Sequence, residues 1–210
     1  LYEADRDADP TAPVLTAEVE APAFLLEGVD RRVLARGSGR ARYTRTDPTG
    51  SLTPETGSLE WEDSFYYDDR SGEGEAAGSV RARRVPAVRP CEPVGRQTGT
   101  ADLARVALTP FPSGDAEASP DRELWSVVLL GTEHAEVRLE RFTRGPAPNA
   151  GGPADREALF AVRSGRLELD APAERLAAPG PGVLVVEDRR PGADDLRIAG
   201  DDLRGTSVFD

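Results

Sequence analysis

Residues able to do nucleophilic, acid–base or metal chemistry are scarce in this chain of 210 residues. It has one histidine, His134, one cysteine, Cys91, and no lysine, so all 26 basic residues are arginine. A lysine Schiff base is therefore excluded, as are an internal disulfide and a zinc site made of His and Cys alone. His134 follows Gly131 in a predicted turn, where it is either a general base near neutral pH or simply exposed.

An aromatic cluster with carboxylates on both sides is a second candidate site. Trp61, Phe65, Tyr66 and Tyr67 lie close together in the sequence, between Glu60 and Asp68. Aromatic rings beside carboxylates suit an apolar or cationic ligand. We expect Trp61 and Tyr67 to contact a ligand and Tyr66 to act in acid–base catalysis. The alternative is a strand that buries one face in the core.

A short basic run at 81–84 is a third candidate. Strand alternation places Arg81 and Arg83 on one face, where they could bind a carboxylate or phosphate group. The alternative is that they pair with the protein's own excess of acidic residues.

The charge balance restricts the partners. With 38 acidic and 26 basic residues, the net charge is -12, which argues against nucleic acid and against an anionic membrane surface. No apolar run reaches the 18 residues of a transmembrane helix. The first residues are acidic and rich in Pro and Ala, unlike a signal peptide. We expect a cytoplasmic protein, with secretion left open, whose partner is a small molecule or another protein.

Short strands dominate the predicted elements. The 21 glycines and 18 prolines divide the chain into short alternating or β-branched runs, which favours an all-β sandwich or barrel. We predict a flexible acidic tail over 1–22, a β-rich half over 23–112 and a second unit over 121–210. The Pro- and Ser-rich stretch at 110–120 would link the two halves.

In the segment from Glu136 to Glu187, an apolar strand runs from Glu157 through Phe160 and Val162 to a glycine turn at Gly165, and a Pro-Gly turn at 179–182 and another apolar strand follow. This spacing resembles the barrel core of the cupin superfamily. The resemblance covers about 50 residues and implies a double-stranded β-helix, the jelly-roll barrel. The stretch from Gly28 to Leu34 with the glycines near 37–39 is similar to the two-cupin family associated with histidine-utilisation operons, which implies two barrels.

The resemblance also shows what this chain lacks. In metal-binding cupins the loop before the acidic residue supplies two histidines and the later motif a third, but here the loop at 146–154 has none. Only Glu157 remains at a ligand-like position, and one carboxylate does not hold iron, manganese or nickel. We therefore expect a metal-free barrel without a cofactor, in which Arg138 or Arg163 partners an interior Glu157.

Two functions follow from this comparison. The first is a non-catalytic module that binds a small molecule or a protein partner, for which a homodimer is one arrangement. The second is a metal-independent isomerase, cyclase or lyase, with Glu157 and Tyr66 as acid and base and Arg138 and Arg163 as ligand-binding residues. The missing metal ligands favour the first.

Overall fold

The chain forms strands without helices in the part that the structure describes. A computed structural model describes residues 14–28, 31–90, 92–108, 124–142, 156–170, 172–173, 175–188 and 196–206. Within these ranges no helix has the length and apolar character needed to cross a membrane. The strands are β1 (Val14–Glu20), β2 (Ala23–Glu27), β3 (Arg32–Arg36), β4 (Gly39–Thr46), β5 (Glu55–Trp61), β6 (Ser64–Asp68), β7 (Glu73–Val85), β8 (Val94–Leu108), β9 (Leu124–Phe142), β10 (Arg156–Asp170), β11 (Arg175–Asp188) and β12 (Leu196–Thr206).

All twelve strands belong to one antiparallel sheet, which confirms the all-β prediction. The main path runs β1-β4-β5-β7-β8-β9-β10-β11-β12, and β6, β3 and β2 branch from β7. Hydrogen bonds among the described residues do not close this sheet into a barrel. Instead β1, β2 and β12 are edge strands, each paired on one side.

A crease crosses the sheet at mid-strand. The register of each strand pair from β7 to β12 shifts near the middle, for example between Ala77 and Val80 and between Thr100 and Leu103. At the same level the chain is interrupted between β1 and β2, between β3 and β4, and between β5 and β6. Each of these pairs corresponds to the two halves of one longer strand. Extra residues in one strand of a pair bend it and increase its twist.

The crease divides the sheet into two walls of nine strands each. The first wall contains residues 14–20, 39–46, 55–61, 80–85, 94–101, 135–142, 156–164, 182–188 and 196–200. The second wall contains residues 23–27, 32–36, 64–68, 73–77, 103–108, 124–130, 166–170, 175–179 and 202–206.

Each wall has an apolar face and a polar face, because side chains alternate along a strand. On β9, Val137 and Leu139 share the apolar face, whereas Glu136 and Arg138 share the polar one. The apolar faces of the two walls meet inside the crease. There the Trp61 ring of the first wall stacks on Phe65 of the second, with 4.9 Å between ring centroids. Buried residues of both walls form a single hydrophobic cluster.

Three glycine-containing segments that the sequence suggests as turns between strands lie inside long strands. Gly131–His134 falls within β9, Ser164–Gly165 within β10, and the segment 179–182 within β11. All three coincide with register shifts at the crease. Since these segments bulge without reversing the chain, the strands stay in one open meander and do not fold into the expected jelly roll.

The predicted domain boundaries meet the sheet in different ways. Residues 14–20 of the predicted tail pair with β4 as strand β1. The predicted linker at 110–120 lies outside the described residues. Strands β8 and β9, one on each side of that linker, pair from Val94–Phe142 to Leu108–Leu124. The two predicted units therefore contribute to one continuous sheet.

Candidate functional site

Glu136 organises a cluster of charged residues on the polar face of the first wall. Its carboxylate is nearly buried and accepts hydrogen bonds from Arg138 on its own strand and from Arg163 on β10, the latter at 2.8 Å from Nε to Oε2. Strand alternation places Glu136 and Arg138 on one face, and pairing of β9 with β10 places Arg163 directly opposite Glu136. Both predicted ligand-binding arginines are thus brought together, with half of each side chain still exposed.

Opposing effects act on the Glu136 carboxyl. Burial alone would raise its pKa, because it disfavours the charged form. Hydrogen bonds and charge attraction from Arg138 and Arg163 outweigh burial and hold the pKa below the ordinary value of 4.5. Glu136 is therefore an ionised anchor that fixes two guanidinium groups, and it is poorly suited to proton transfer near neutral pH.

Trp61 and Phe65 of the predicted aromatic cluster pack at the crease. Trp61 is 2% exposed, and its indole N–H donates to the carbonyl of Gly37 at 3.0 Å. This arrangement matches the core packing that the sequence left as the alternative. Trp61 also lines a cleft of about 550 Å³, together with Glu60 and Arg81. Contact between Trp61 and a ligand stays a prediction.

Tyr66 and Tyr67 lie on opposite faces of β6. The Tyr66 hydroxyl is 3.2 Å from Asp68 Oδ2, and the Tyr67 hydroxyl is 3.3 Å from Asp69 Oδ1. Partial burial and the negative charge of Asp68 raise the pKa of Tyr66, so the phenol stays protonated at neutral pH. A hydrogen bond from Arg32 is the largest effect on Asp68 and lowers the pKa of that carboxyl to about 2.

The backbone separates the two predicted catalytic residues. Glu157 is in β10 at a register shift, and its side chain lies outside the described part. Tyr66 is in β6, on the other wall and four strands away along the sheet. Among the described side chains, the arginines expected to partner Glu157 hold Glu136. A catalytic role for Glu157 or Tyr66 stays a prediction.

The two reactive residues singled out by type have different positions. His134 is exposed within the bulge of β9, and Cys91 lies outside the described residues. In the part of the chain that the structure describes, no group of three or more His, Cys, Asp or Glu side chains is arranged to hold a metal ion.

Exposed apolar side chains concentrate on the edge strands. Seven large hydrophobic residues are exposed in the described part of the chain, and six of them lie on β1, β2 or β12, whereas Leu52 lies in a loop. An interior strand has a neighbour on each side that covers its apolar side chains, whereas an edge strand has a neighbour on one side only. The six are Val19, Phe24, Leu25, Leu26, Leu196 and Ile198.

One cross-strand row of the first wall is apolar from edge to edge. It begins at Val19 and ends at Ile198, which are 39% and 41% exposed. Every residue between them is aliphatic or glycine. In order the row is Val19, Ala41, Leu59, Ala82, Gly99, Val137, Val162, Leu184 and Ile198.

The neighbouring row, on the polar face, begins and ends with opposite charges. Glu18 occupies its β1 end and Arg197 its β12 end, and both residues are exposed. Among the described residues neither forms an ion pair. The row is Glu18, Arg42, Ser58, Arg83, Thr98, Arg138, Ala161, Val185 and Arg197.

Glu136 was not predicted as a binding partner, and the edge strands were not predicted either. The spacing of Glu136 and Arg138 already indicates a shared face, so that part of the cluster was accessible from the sequence. The edge strands were not, because strand order depends on pairing and not on composition. No protein-family model matches this chain, and no match was found among curated proteins or solved structures.

Proposed function

We propose that the chain is a non-catalytic binding module that joins protein chains edge to edge, by adding a partner strand to its open sheet. The exposed apolar side chains on the edge strands carry this proposal. An edge strand presents unpaired N–H and C=O groups, and natural proteins usually protect it with charges, proline or a covering segment. Here Val19 and Ile198 leave one face of each edge of the first wall apolar.

A second copy of this chain fits these edges best. Nine strands alternate in direction along the path from β1 to β12, so the two edge strands run the same way. Translating a copy across the sheet therefore places its β1 parallel to β12 with like faces aligned. Head-to-tail pairing of this kind is heterologous, and it builds rings or filaments.

The side chains match in that arrangement. Because Glu18 and Arg197 end the same row, an unstaggered translation puts the Glu18 of one copy beside the Arg197 of the next. The same translation puts Val19 beside Ile198 and continues the apolar row without a break. Opposite charges directly across a strand pair stabilise it, as do apolar pairs.

Placing a charge on the edge is expected to weaken association. Ile198→Lys should weaken self-association roughly tenfold, since it removes one apolar contact from the edge and adds a desolvation cost. Leu52→Lys is the matched control, because Leu52 is 38% exposed and lies in a loop away from the edges. Sedimentation velocity over a wide concentration range measures both. A wild-type chain that stays monomeric throughout, or equal weakening by both variants, would contradict the proposal.

The exposed edges do not require kinship with the cupins. The sequence suggested that kinship through Glu157, Gly165 and the segment 179–182, but an open sheet whose glycine segments bulge inside strands does not support it. The alternative of a metal-independent enzyme has less in its favour, because the backbone keeps β6 and Glu157 on different walls.

A small apolar ligand between the two walls is a second candidate function. Its supporting observation is that burial falls with distance from the crease: Ala135 is fully buried, but Val137 and Leu139 farther along the same face are only half-buried. On β10, Val162 is buried and Phe160 half-buried. The walls therefore diverge, and the apolar faces between them are incompletely covered by the described residues.

Binding of a fluorescent fatty acid such as cis-parinaric acid tests whether the space between the two walls holds an apolar ligand. Saturable binding is expected, and Phe160→Ser should weaken it roughly tenfold by removing a large apolar contact. Phe142→Ser is the control, because Phe142 lies on the polar face beside Arg96. No saturable binding, or the same loss in both variants, would remove this candidate.

A further inference from the structure

On the polar face of the first wall, two threonines lie between strands that carry arginines. Thr98 and Thr100 of β8 have short side chains, and the rows on both sides carry longer ones, so the threonines form the floor between them. Arg81 and Arg83 of β7 pair directly with these threonines on one side. On the other side Thr98 pairs with Arg138 and Thr100 with Glu136, which is opposite Arg163. We call the four arginines and two threonines the arginine trough.

The dimensions allow the two sides to act on one ligand. Strands β7 and β9 are separated only by β8, so their backbones are about 10 Å apart at a spacing of roughly 4.8 Å per strand. An arginine side chain reaches about half that distance or more, so guanidinium groups from both sides can bind the same small molecule. Arg138 and Arg163 are already held in place by Glu136.

Among the described residues Arg81 and Arg83 form no ion pair, although the protein has 12 more acidic than basic residues. Arg83 lies between Ser58 and Thr98, and Arg81 lies between Glu60 and Thr100. The sequence left internal pairing as the alternative for these two residues, and the described residues provide no such pair.

The groups around the trough leave its centre positive. Arg96 and Glu140 neutralise each other at its outer end, with 2.6 Å between Nη2 and Oε2. At the crease end, Asp102 accepts a hydrogen bond from the Thr132 amide, and His134 is nearby. Within the trough four guanidinium groups face one carboxylate, Glu136. Arg81 also has Glu60 across the strand pair on its outer side.

We propose that the arginine trough binds a small multivalent anion, one that carries two or more carboxylate or phosphate groups. Guanidinium groups bind both oxyanions through paired N–H donors, and the threonine hydroxyls add donors from the floor. The arginine trough is separate from the strand edges, so anion binding there does not require that chains associate edge to edge.

Calorimetric titration of the full chain at low ionic strength tests the trough. Citrate represents the carboxylate source and inorganic pyrophosphate the phosphate source. Saturable binding of at least one is expected, and Arg81→Gln/Arg83→Gln should weaken it roughly tenfold or more, because charge-assisted hydrogen bonds are lost. Neither arginine forms an ion pair with a described residue that the variant would lose, so the variant should keep its fold, which its thermal midpoint checks.

Arg36→Gln/Arg89→Gln is the matched control, since it removes the same charge from the second wall and from a loop, and neither arginine forms an ion pair with a described residue. A smaller loss in this control supports a defined site. Binding of citrate alone would identify carboxylates as the preferred group, binding of pyrophosphate alone would identify phosphates, and binding of both would identify multivalent anions in general. Equal weakening in the two double variants would show attraction by overall charge only. That outcome, or no saturable binding of either anion, would overturn the proposal.

Discussion

Replacing Trp61 by alanine is expected to lower the free energy of unfolding by about 3–5 kcal/mol, the range for a large aromatic side chain lost from a core. Trp61 is 2% exposed and stacks on Phe65 across the crease. Its loss would remove the ring contact between the walls, open a cavity and leave the carbonyl of Gly37 without its indole donor. Urea denaturation followed by circular dichroism measures the change.

Trp61→Phe separates these contributions. Phenylalanine keeps an aromatic ring at the crease but lacks the indole N–H, so we expect a loss clearly smaller than that of Trp61→Ala. Leu52→Ala, at an exposed loop position, should change stability by no more than about 0.5 kcal/mol. If Trp61→Ala were as mild as Leu52→Ala, the walls would not be held together at the crease as described.

Replacing Glu136 by glutamine is expected to lower the free energy of unfolding by about 2–3 kcal/mol near neutral pH. This loss is smaller than the full cost of breaking a buried ion pair, because both arginines are half-exposed. The substitution keeps the size of the side chain and removes its charge. Arg138 and Arg163 would then lose the carboxylate that holds them together.

The stabilising effect of Glu136 should depend on pH in a defined direction. Its folded pKa lies below the ordinary 4.5, so its contribution is fully present above that value and is lost as the pH falls through it toward the folded pKa. The difference between wild type and Glu136→Gln should therefore shrink in acid. Glu62→Gln, at an exposed position, is the control and should show little difference at any pH. A difference for Glu136→Gln that stayed constant down to acidic pH would contradict the ion-pair account.

Strand content was predictable from the sequence because alternation of apolar and polar residues is a local property. At 135–142, for example, the pattern correctly places Val137 and Leu139 on one face and Arg138 on the other. Local patterns do not distinguish a bulge from a turn, since glycine serves in both. Gly131 and Gly165 therefore suggested chain reversals, and the long strands that form two walls were divided into short ones.

The candidate site was predictable in part for the same reason. Arg138 and Arg163 were selected as ligand-binding residues, but the carboxylate between them was expected to be Glu157. Identifying Glu136 required the register of β9 against β10, which a one-residue slip would change completely. Trp61 shows the converse case, because an aromatic residue beside carboxylates has the same sequence pattern in a pocket and in a core strand.

The edge-to-edge account is tested most directly by exchanging charges across the proposed junction. Sedimentation equilibrium would compare the wild type with Glu18→Arg, Arg197→Glu and the double variant that carries both. Arg89→Glu, in a loop away from the edges, serves as the control for net charge. Each single exchange places like charges side by side and should weaken association, whereas the double variant restores opposite charges and should recover it. Weakening that the double variant fails to recover, or an effect of Arg197→Glu without one of Glu18→Arg, would contradict the pairing of β1 with β12.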